Sequence, residues 1–296
     1  MKKLSLFLVL ILVLSVFAAC GTTKEEKTVV IGGKNYTEQE ILVYLMRDII
    51  EAKTDVKVVT KPFLGGTQVV FAAMKKGDLD IYAEYTGTAL LSILKQDLDT
   101  DTDRVYNTVK DLMDKDHGLA VLKPFGFNNT YALAMKAEKA ESLGIKTYSD
   151  LAAKSGDLVI AGTQEFLERK DGYMGLKETY GMNFKSTKGM DPGLTYAAVR
   201  DGQVDVNSAF ATDGRIAAFN LTVLEDDKNF FPPYYATPVI RKDTLEKYPE
   251  VKDALEQLAG KLDDKTMSDL NAQVDLNKKD AKVVANEWLK SQGLID

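Results

Sequence analysis

The stretch AAMKKGDLDIYAEY, residues 72–85, has a counterpart later in the chain in AAVRDGQVDVNSAF, residues 197–210. Both read Ala-Ala-apolar, two polar residues, Gly, any residue, apolar, Asp, apolar, three residues and an aromatic. The segments that open the two halves also match, TVVIGGK at 28–34 and DLVIAGT at 157–163. Repetition at this spacing indicates two equivalent structural units.

Strand and helix patterns alternate within the first unit. Residues 28–31 and 56–60 are rich in β-branched side chains, and 79–82 forms a third short apolar run. Residues 37–50 and 67–76 have helical periodicity and follow a Gly-Gly pair or a Gly-Gly-Thr turn. This alternation predicts βαβ units around a parallel sheet, and hence an α/β fold, which the repeat extends to two lobes.

Two segments are predicted to connect the lobes. FNNTYALAMKAE, beginning at Phe127, is an extended outward crossing, and FFPPYYATPVIRKD, residues 230–243, is the return, because its two prolines exclude helix. Residues 28–127 and 239–296 then form lobe one, and 128–238 form lobe two. A C-terminal amphipathic tail is expected to pack on lobe one through Leu255, Leu258, Leu262, Leu270 and Trp288.

The N-terminus has the pattern of an export signal. Lys2 and Lys3 precede an apolar run that ends in Phe-Ala-Ala before Cys20, and the run is too short to span a membrane. The sequence predicts a signal peptide at 1–19, a lipidated Cys20 and a polar tether, together residues 20–27. A plain secretory signal with an incidental cysteine remains the alternative.

Composition argues against several function classes. The net charge of −6 offers no basic cluster for nucleic acid. His117 is the single histidine and Cys20 the single cysteine, which leaves no histidine-based triad or zinc cluster. We therefore expect no enzyme activity, no cofactor and no metal site, and the acidic run 225–227 is expected to be an exposed turn.

Aromatic residues stand where a ligand cleft is expected. Ligands of open α/β sheets bind beyond the carboxyl ends of the strands, and Tyr85 and Phe210 follow equivalent strands of the repeat. Tyr131 and Tyr234 lie on the two crossings, although the neighbouring Tyr235 is an alternative to Tyr234. Four such rings would attract a cation that lacks N–H donors.

The chain resembles the substrate-binding lipoproteins of osmoprotectant ABC importers, the glycine betaine/carnitine/choline type. The resemblance covers the mature chain and implies a monomeric type II periplasmic-binding-protein fold, with a ligand cleft between lobes joined by two crossing strands. It also implies that the ammonium group is surrounded by the four rings named above, with Phe210 at a position where the family commonly has Tyr. The motifs that carry it are GGKNYTEQ (32–39), AEYTGT (83–88), FNNTYALAM (127–135), AFATDGRI (209–216) and LEDDKNFFPPY (224–234).

The same resemblance implies a polar end to the site. It places Lys34, Arg169 and Thr88 near the carboxylate of a ligand, with Asn129 at the rim. A betaine or carnitine would satisfy both the rings and the two cations, whereas choline would leave the cations unpaired, so betaines are preferred. On the residues alone, Arg169 belongs to a charged run that is usually solvated.

The predicted function is that of an extracytoplasmic binding component, anchored to the cell membrane through its lipid. It would close its lobes on a quaternary-ammonium solute and deliver it to ABC permease subunits. The alternative is a binding protein for an amino acid or another small zwitterion or anion that serves a different importer or a sensor. In that case the four rings would be core residues.

Overall fold

The structure is a computed structural model that describes residues 26–296. The predicted signal peptide 1–19, Cys20 and most of the predicted tether lie outside the described residues. Lys27, the last tether residue, donates hydrogen bonds to Asp55 and Glu250 on the folded part. Within residues 26–296, no helix combines the length and the apolar character needed to cross a membrane.

The described part of the chain forms ten strands in two mixed sheets. The first sheet has the order β2-β1-β3-β10-β4, and the second has the order β7-β6-β8-β5-β9. The strands are β1 (Thr28–Gly32), β2 (Lys57–Lys61), β3 (Ile81–Tyr85), β4 (Leu119–Val121), β5 (Tyr131–Lys136), β6 (Val159–Gly162), β7 (Ser186–Gly189), β8 (Val206–Phe210), β9 (Leu221–Val223) and β10 (Ala236–Arg241).

Helices cover both sheets. The helix α1 (Thr37–Lys53) buries 11 of its 17 residues against the sheet and the C-terminal helices, so it is a central element of the first lobe. The other helices are α2 (Thr67–Lys76), α3 (Thr86–Thr88), α4 (Thr102–His117), α5 (Ala137–Leu143), α6 (Tyr148–Lys154), α7 (Gln164–Glu168), α8 (Tyr173–Tyr180), α9 (Pro192–Arg200), α10 (Arg215–Ala218), α11 (Lys242–Lys247), α12 (Glu250–Glu256), α13 (Asp264–Asp275) and α14 (Ala281–Ser291). A π-helical turn at Ala89–Ile93 follows α3, and a 3-10 turn at Ser155–Asp157 follows α6.

The α/β fold of two lobes is confirmed, but the prediction of a parallel sheet is wrong, because each sheet also contains antiparallel pairings. In each sheet a central strand pairs in parallel with the strand that opens its half of the chain, and an antiparallel strand lies on its other side. The five tail residues predicted to pack on lobe one are buried in a hydrophobic cluster that includes residues of β1 and α1.

The aspartate of the sequence repeat has the same structural task in both lobes. The carboxylate of Asp80 accepts the backbone N–H of Val30 at 2.7 Å, and that of Asp205 accepts the N–H of Val159 at 2.7 Å. In return, the backbone amides of the two aspartates donate to the carbonyls of the same valines. The repeated Asp therefore clamps the first strand of each lobe to the repeat strand, and it is a structural residue.

The repeated glycine is also structural. Gly77 ends α2 with φ of 80°, and Gly202 follows α9 with φ of 71°. Both angles lie in the left-handed region, which glycine adopts without steric cost. The two repeats thus turn from helix to strand in the same way.

The chain passes between the sheets twice, from β4 to β5 and from β9 to β10. These crossings run side by side, because the amide of Asn129 donates to the carbonyl of Tyr234 at 3.1 Å and the amide of Tyr234 donates to Oδ1 of Asn128 at 2.7 Å. Pro232 and Pro233 precede this contact. The pairing brings residues of both crossings to the same edge of the cleft.

Candidate functional site

A cavity of about 670 Å³ is lined by residues from both lobes. Its volume lies within the range of small-molecule sites. All eight side chains that the sequence analysis assigned to a ligand line this cavity: Lys34, Tyr85, Thr88, Asn129, Tyr131, Arg169, Phe210 and Tyr234.

Strand register explains how the rings meet. Tyr131 begins β5 and lies opposite Phe210, the last residue of β8, with ring centroids 5.2 Å apart. Tyr234 approaches Tyr131 edge-on at 5.6 Å. Tyr85 ends β3 in the other lobe, opposite Ala236 of the return crossing. Tyr85 and Phe210 therefore stand at the ends of equivalent strands, as the repeat predicted.

The structure adds a fifth ring, that of Tyr36. Its plane lies 8° from that of Phe210, with centroids 5.8 Å apart, and its centroid is 6.5 Å from that of Tyr85. Tyr36 lies in the GGKNYTEQ motif, and its ring was not among the predicted ligand residues. Its position directly before α1, beside Lys34, was the available signal.

The choice between Tyr234 and Tyr235 is also clear in the structure. Tyr234 lines the cavity, is 2% exposed and donates its hydroxyl hydrogen to Asp171 at 2.7 Å. Tyr235 is not among the lining residues. Tyr196, on the helix of the second repeat, is fully buried and accepts the backbone N–H of Phe210 at 2.8 Å, so it is a packing residue.

The phenols of the cavity are neutral near neutral pH. Burial raises the pKa of Tyr36, Tyr85, Tyr131 and Tyr234 above the ordinary tyrosine value. The cavity therefore presents uncharged aromatic faces, which attract cations through the ring quadrupole.

The two cations of the cavity are already paired. Nζ of Lys34 donates to the fully buried Glu84 at 2.5 Å. Arg169 binds Asp171 through two hydrogen bonds, one of them from Nε at 2.7 Å, and Asp171 is 1% exposed. Arg169 and Asp171 are therefore not solvated, whereas Glu168 and Lys170 of the same charged run are exposed. The argument that choline would leave two cations unpaired is wrong.

A carboxylate that the sequence analysis did not assign lies behind the rings. Glu38, in the first turn of α1, is 3% exposed and accepts hydrogen bonds from Tyr85 Oη at 2.6 Å and from Asn129 Nδ2 at 2.7 Å. Glu38 also accepts hydrogen bonds from Thr212 Oγ1 at 2.5 Å and from Asn271 Nδ2 at 3.0 Å. Burial raises the pKa of Glu38, and these hydrogen bonds oppose that shift.

A second carboxylate joins the lobes at the mouth of the cavity. Oε1 of Glu165, on α7 of lobe two, accepts the backbone N–H of Thr67 at 3.0 Å. Thr67 begins α2 of lobe one, where the unpaired amides of a helix attract negative charge. The Gly65-Gly66-Thr67 turn leads into this helix. Here the anion that it meets is a side chain of the same protein.

Comparison with known proteins identifies the family. The family model described as "Substrate binding domain of ABC-type glycine betaine transport system" matches residues 27–291. The chain belongs to this family. Its members are substrate-binding components of ABC importers, which is a transport class and not an enzyme class.

Three relatives illustrate the range of the family. The "Glycine-betaine-binding protein" of Pseudomonas aeruginosa is 40% identical over 290 residues, covering 94% of this chain and 92% of its own. The "Carnitine transport binding protein OpuCC" of Listeria monocytogenes is 34% identical, covering 100% and 98%. The "Ergothioneine transport permease/ergothioneine binding protein EgtU" of Helicobacter pylori is 38% identical over 99% of this chain, which spans only 52% of that longer protein.

Solved structures give the same result for the fold. A glycine betaine/carnitine/choline ABC transporter structure matches with a TM-score of 0.75 and 33% identity, covering 92% of this chain and all of the other. A choline-binding protein in complex with choline matches with a TM-score of 0.68 at 18% identity, covering 90% and 89%, and shows the shared two-lobed fold.

Proposed function

We propose that this protein captures a small quaternary-ammonium solute outside the cytoplasm and delivers it to the permease subunits of an ABC importer. The observation that supports this most directly is the group of five aromatic rings around one cavity, those of Tyr36, Tyr85, Tyr131, Phe210 and Tyr234. Each ring contributes about 0.5–2 kcal/mol to binding a cation, depending on desolvation.

The charges around the cavity support a ligand that carries a positive charge. Lys34 and Arg169 each pair with a carboxylate, and Glu38, Glu165 and Asp191 add negative charge at or behind the lining. A quaternary ammonium needs no hydrogen-bond acceptor, so aromatic faces with carboxylates behind them suit it better than a primary amine. This arrangement admits choline as well as glycine betaine and carnitine.

Ergothioneine is a second candidate ligand. It is also a trimethylammonium betaine, and the H. pylori relative whose name includes ergothioneine binding aligns over 99% of this chain. A cavity of about 670 Å³ has more room than glycine betaine requires, which favours a larger betaine.

The cellular setting completes the proposal. We place the mature protein at the extracytoplasmic face of the cell membrane, held by a lipid on Cys20, and acting as a monomer without cofactor or catalytic activity. Lobe one comprises residues 28–127 and 239–296, and lobe two comprises 128–238. Closure about the paired crossings is the step that prepares the protein for the permease.

Isothermal titration calorimetry tests the ligand class. The mature protein is titrated with glycine betaine, carnitine, choline, ergothioneine and glycine, and the titrations are repeated with Tyr131→Leu and with the control Tyr235→Leu. Binding of trimethylammonium ligands that weakens only in Tyr131→Leu would support the proposal. Heat from glycine alone would overturn it in favour of an amino-acid-binding protein.

A further inference from the structure

The carboxylate of Glu38 connects the predicted ligand residues to both lobes. Its two oxygens accept hydrogen bonds from Tyr85 at the end of β3, Asn129 on the outward crossing, Thr212 beyond β8 and Asn271 in α13. Asn271 also donates to the carbonyl of Thr212 at 3.0 Å. One buried side chain thus fixes a ring of the cavity, an amide at its rim and the contact between lobes.

The hydrogen-bond donors indicate that Glu38 is ionised. The side-chain amides of Asn129 and Asn271 donate one N–H to each carboxylate oxygen, and an amide nitrogen cannot accept a proton in return. The hydroxyls of Tyr85 and Thr212 serve as the remaining donors. A carboxylate with a donor at each oxygen is the form that this arrangement stabilises.

No basic side chain of the described residues donates a hydrogen bond to Glu38. Arg215 lines the small cavity next to it but binds Asp213 and, at 3.2 Å, Asp275. Those two carboxylates more than balance the guanidinium. Lys34 lies over the Tyr85 ring, with its Nζ 5.1 Å from the ring centroid, but it is paired with Glu84. The groups behind the rings therefore keep a net negative charge.

We propose that Glu38 is a positioning residue of the ligand site, which orients Tyr85 and Asn129 and whose negative charge strengthens the binding of a quaternary ammonium ion. This inference rests on the proposed function and adds the residue that supplies the counter-charge. Because a phenol ring separates Glu38 from the cavity, the carboxylate acts on the ligand without touching it.

Distances in the structure determine how strongly the charge of Glu38 affects cation binding. The Tyr85 hydroxyl lies 2.6 Å from Glu38. A cation bound within about 6 Å of that ring's centroid is then roughly 8 Å from the carboxylate. At an effective dielectric constant of about 20, removal of that charge weakens cation binding by roughly 10- to 30-fold.

Choline and 3,3-dimethylbutan-1-ol measure this charge effect, because the alcohol replaces the ammonium nitrogen of choline by carbon. The ratio of their Kd values, obtained by calorimetry and by competition, is compared between the wild-type protein and Glu38→Gln. Glu40→Gln, on the same helix but outside both cavities, is the matched control. Thr212→Val removes one hydrogen bond to Glu38 and keeps the carboxyl group, and it is measured at a pH high enough to keep that group ionised.

We expect Glu38→Gln to reduce the preference for choline at least tenfold, while Glu40→Gln and Thr212→Val leave the preference unchanged. Thr212→Val is expected to weaken both ligands equally. If Glu38→Gln also weakens both ligands equally, Glu38 is only a structural residue and the inference is overturned. If the wild-type protein shows no preference for choline over the alcohol, the proposed function fails, and the inference fails with it.

A second variant covers the case in which Glu38→Gln does not fold. Asn271→Lys keeps the carboxylate and brings a cation to its far side, in place of the amide that donates to Glu38 Oε2 at 3.0 Å. We expect the preference for choline to fall at least tenfold in this variant as well. An unchanged preference in Asn271→Lys would refute the electrostatic role.

Discussion

Glu165 provides a direct test of lobe closure. Its carboxylate accepts the amide of Thr67 across the mouth of the cavity at 3.0 Å, so this bond is lost when the lobes separate. A hydrogen bond to a charged group contributes about 1.5–3 kcal/mol, and the partial exposure of Glu165 places it at the lower end. Glu165→Ala therefore shifts the equilibrium toward the open form by about tenfold.

Ligand binding reports this shift. If the open form predominates without ligand, a tenfold loss of closed form raises Kd by the same factor, and most of the change lies in the dissociation rate. Glu165→Gln keeps an acceptor oxygen and loses the charge, so its effect is expected to be roughly threefold. Calorimetry gives Kd, stopped-flow fluorescence gives the dissociation rate, and small-angle scattering gives the open fraction.

Glu168→Gln is the control, because Glu168 lies on the same short helix, is exposed and bonds to Gln164 instead of lobe one. The role of the Glu165–Thr67 hydrogen bond in lobe closure would be refuted if Glu165→Ala had the same Kd and dissociation rate as the wild-type protein. It would also be refuted if Glu168→Gln weakened binding to the same extent.

Three further predictions concern other parts of the molecule. Tyr131→Leu removes the ring that contacts two other cavity rings and is expected to raise the Kd of trimethylammonium ligands by roughly 3- to 30-fold, whereas Tyr235→Leu leaves calorimetric titrations unchanged. Asp205→Asn weakens the clamp on Val159 and lowers the free energy of unfolding by about 1–3 kcal/mol in denaturant titrations; a loss of affinity without a loss of stability would contradict the structural role. Because burial raises the pKa of Glu38, choline affinity is expected to be highest above that pKa and to fall as acid protonates the carboxylate; the same pH profile of Kd in Glu38→Gln would argue against this.

The repeat explains why much of the fold and the rings could be predicted from sequence. Local signals carried the prediction: hydrophobic periodicity, the position of glycine and aromatic residues at strand ends. Each of these signals occurs in both copies of the repeat. They placed Tyr85 and Phe210 on equivalent strands, and the structure has them at the ends of β3 and β8.

Those local signals do not predict contacts between segments that are distant in the sequence. Glu38 meets Asn271, which is 233 residues away, and Lys34 meets Glu84, 50 residues away. The helical periodicity of residues 37–50 correctly predicted the secondary structure around Glu38, but it gave no indication of which residues form hydrogen bonds with Glu38. The pairing of the two cavity cations, which changes the argument about choline, could be learned only from the folded chain.

The backbone of Tyr234 belongs to the paired crossings, while its ring lies in the cavity. Under the proposed function, ligand contact and lobe rotation would act on the same residue, and no relay of intervening side chains would be required to communicate occupancy. Natural or engineered variation at this position would alter selectivity and the opening angle together. A homologue that acquires a new ligand by a substitution of this ring must also keep, or readjust, the lobe opening that releases the ligand to the permease.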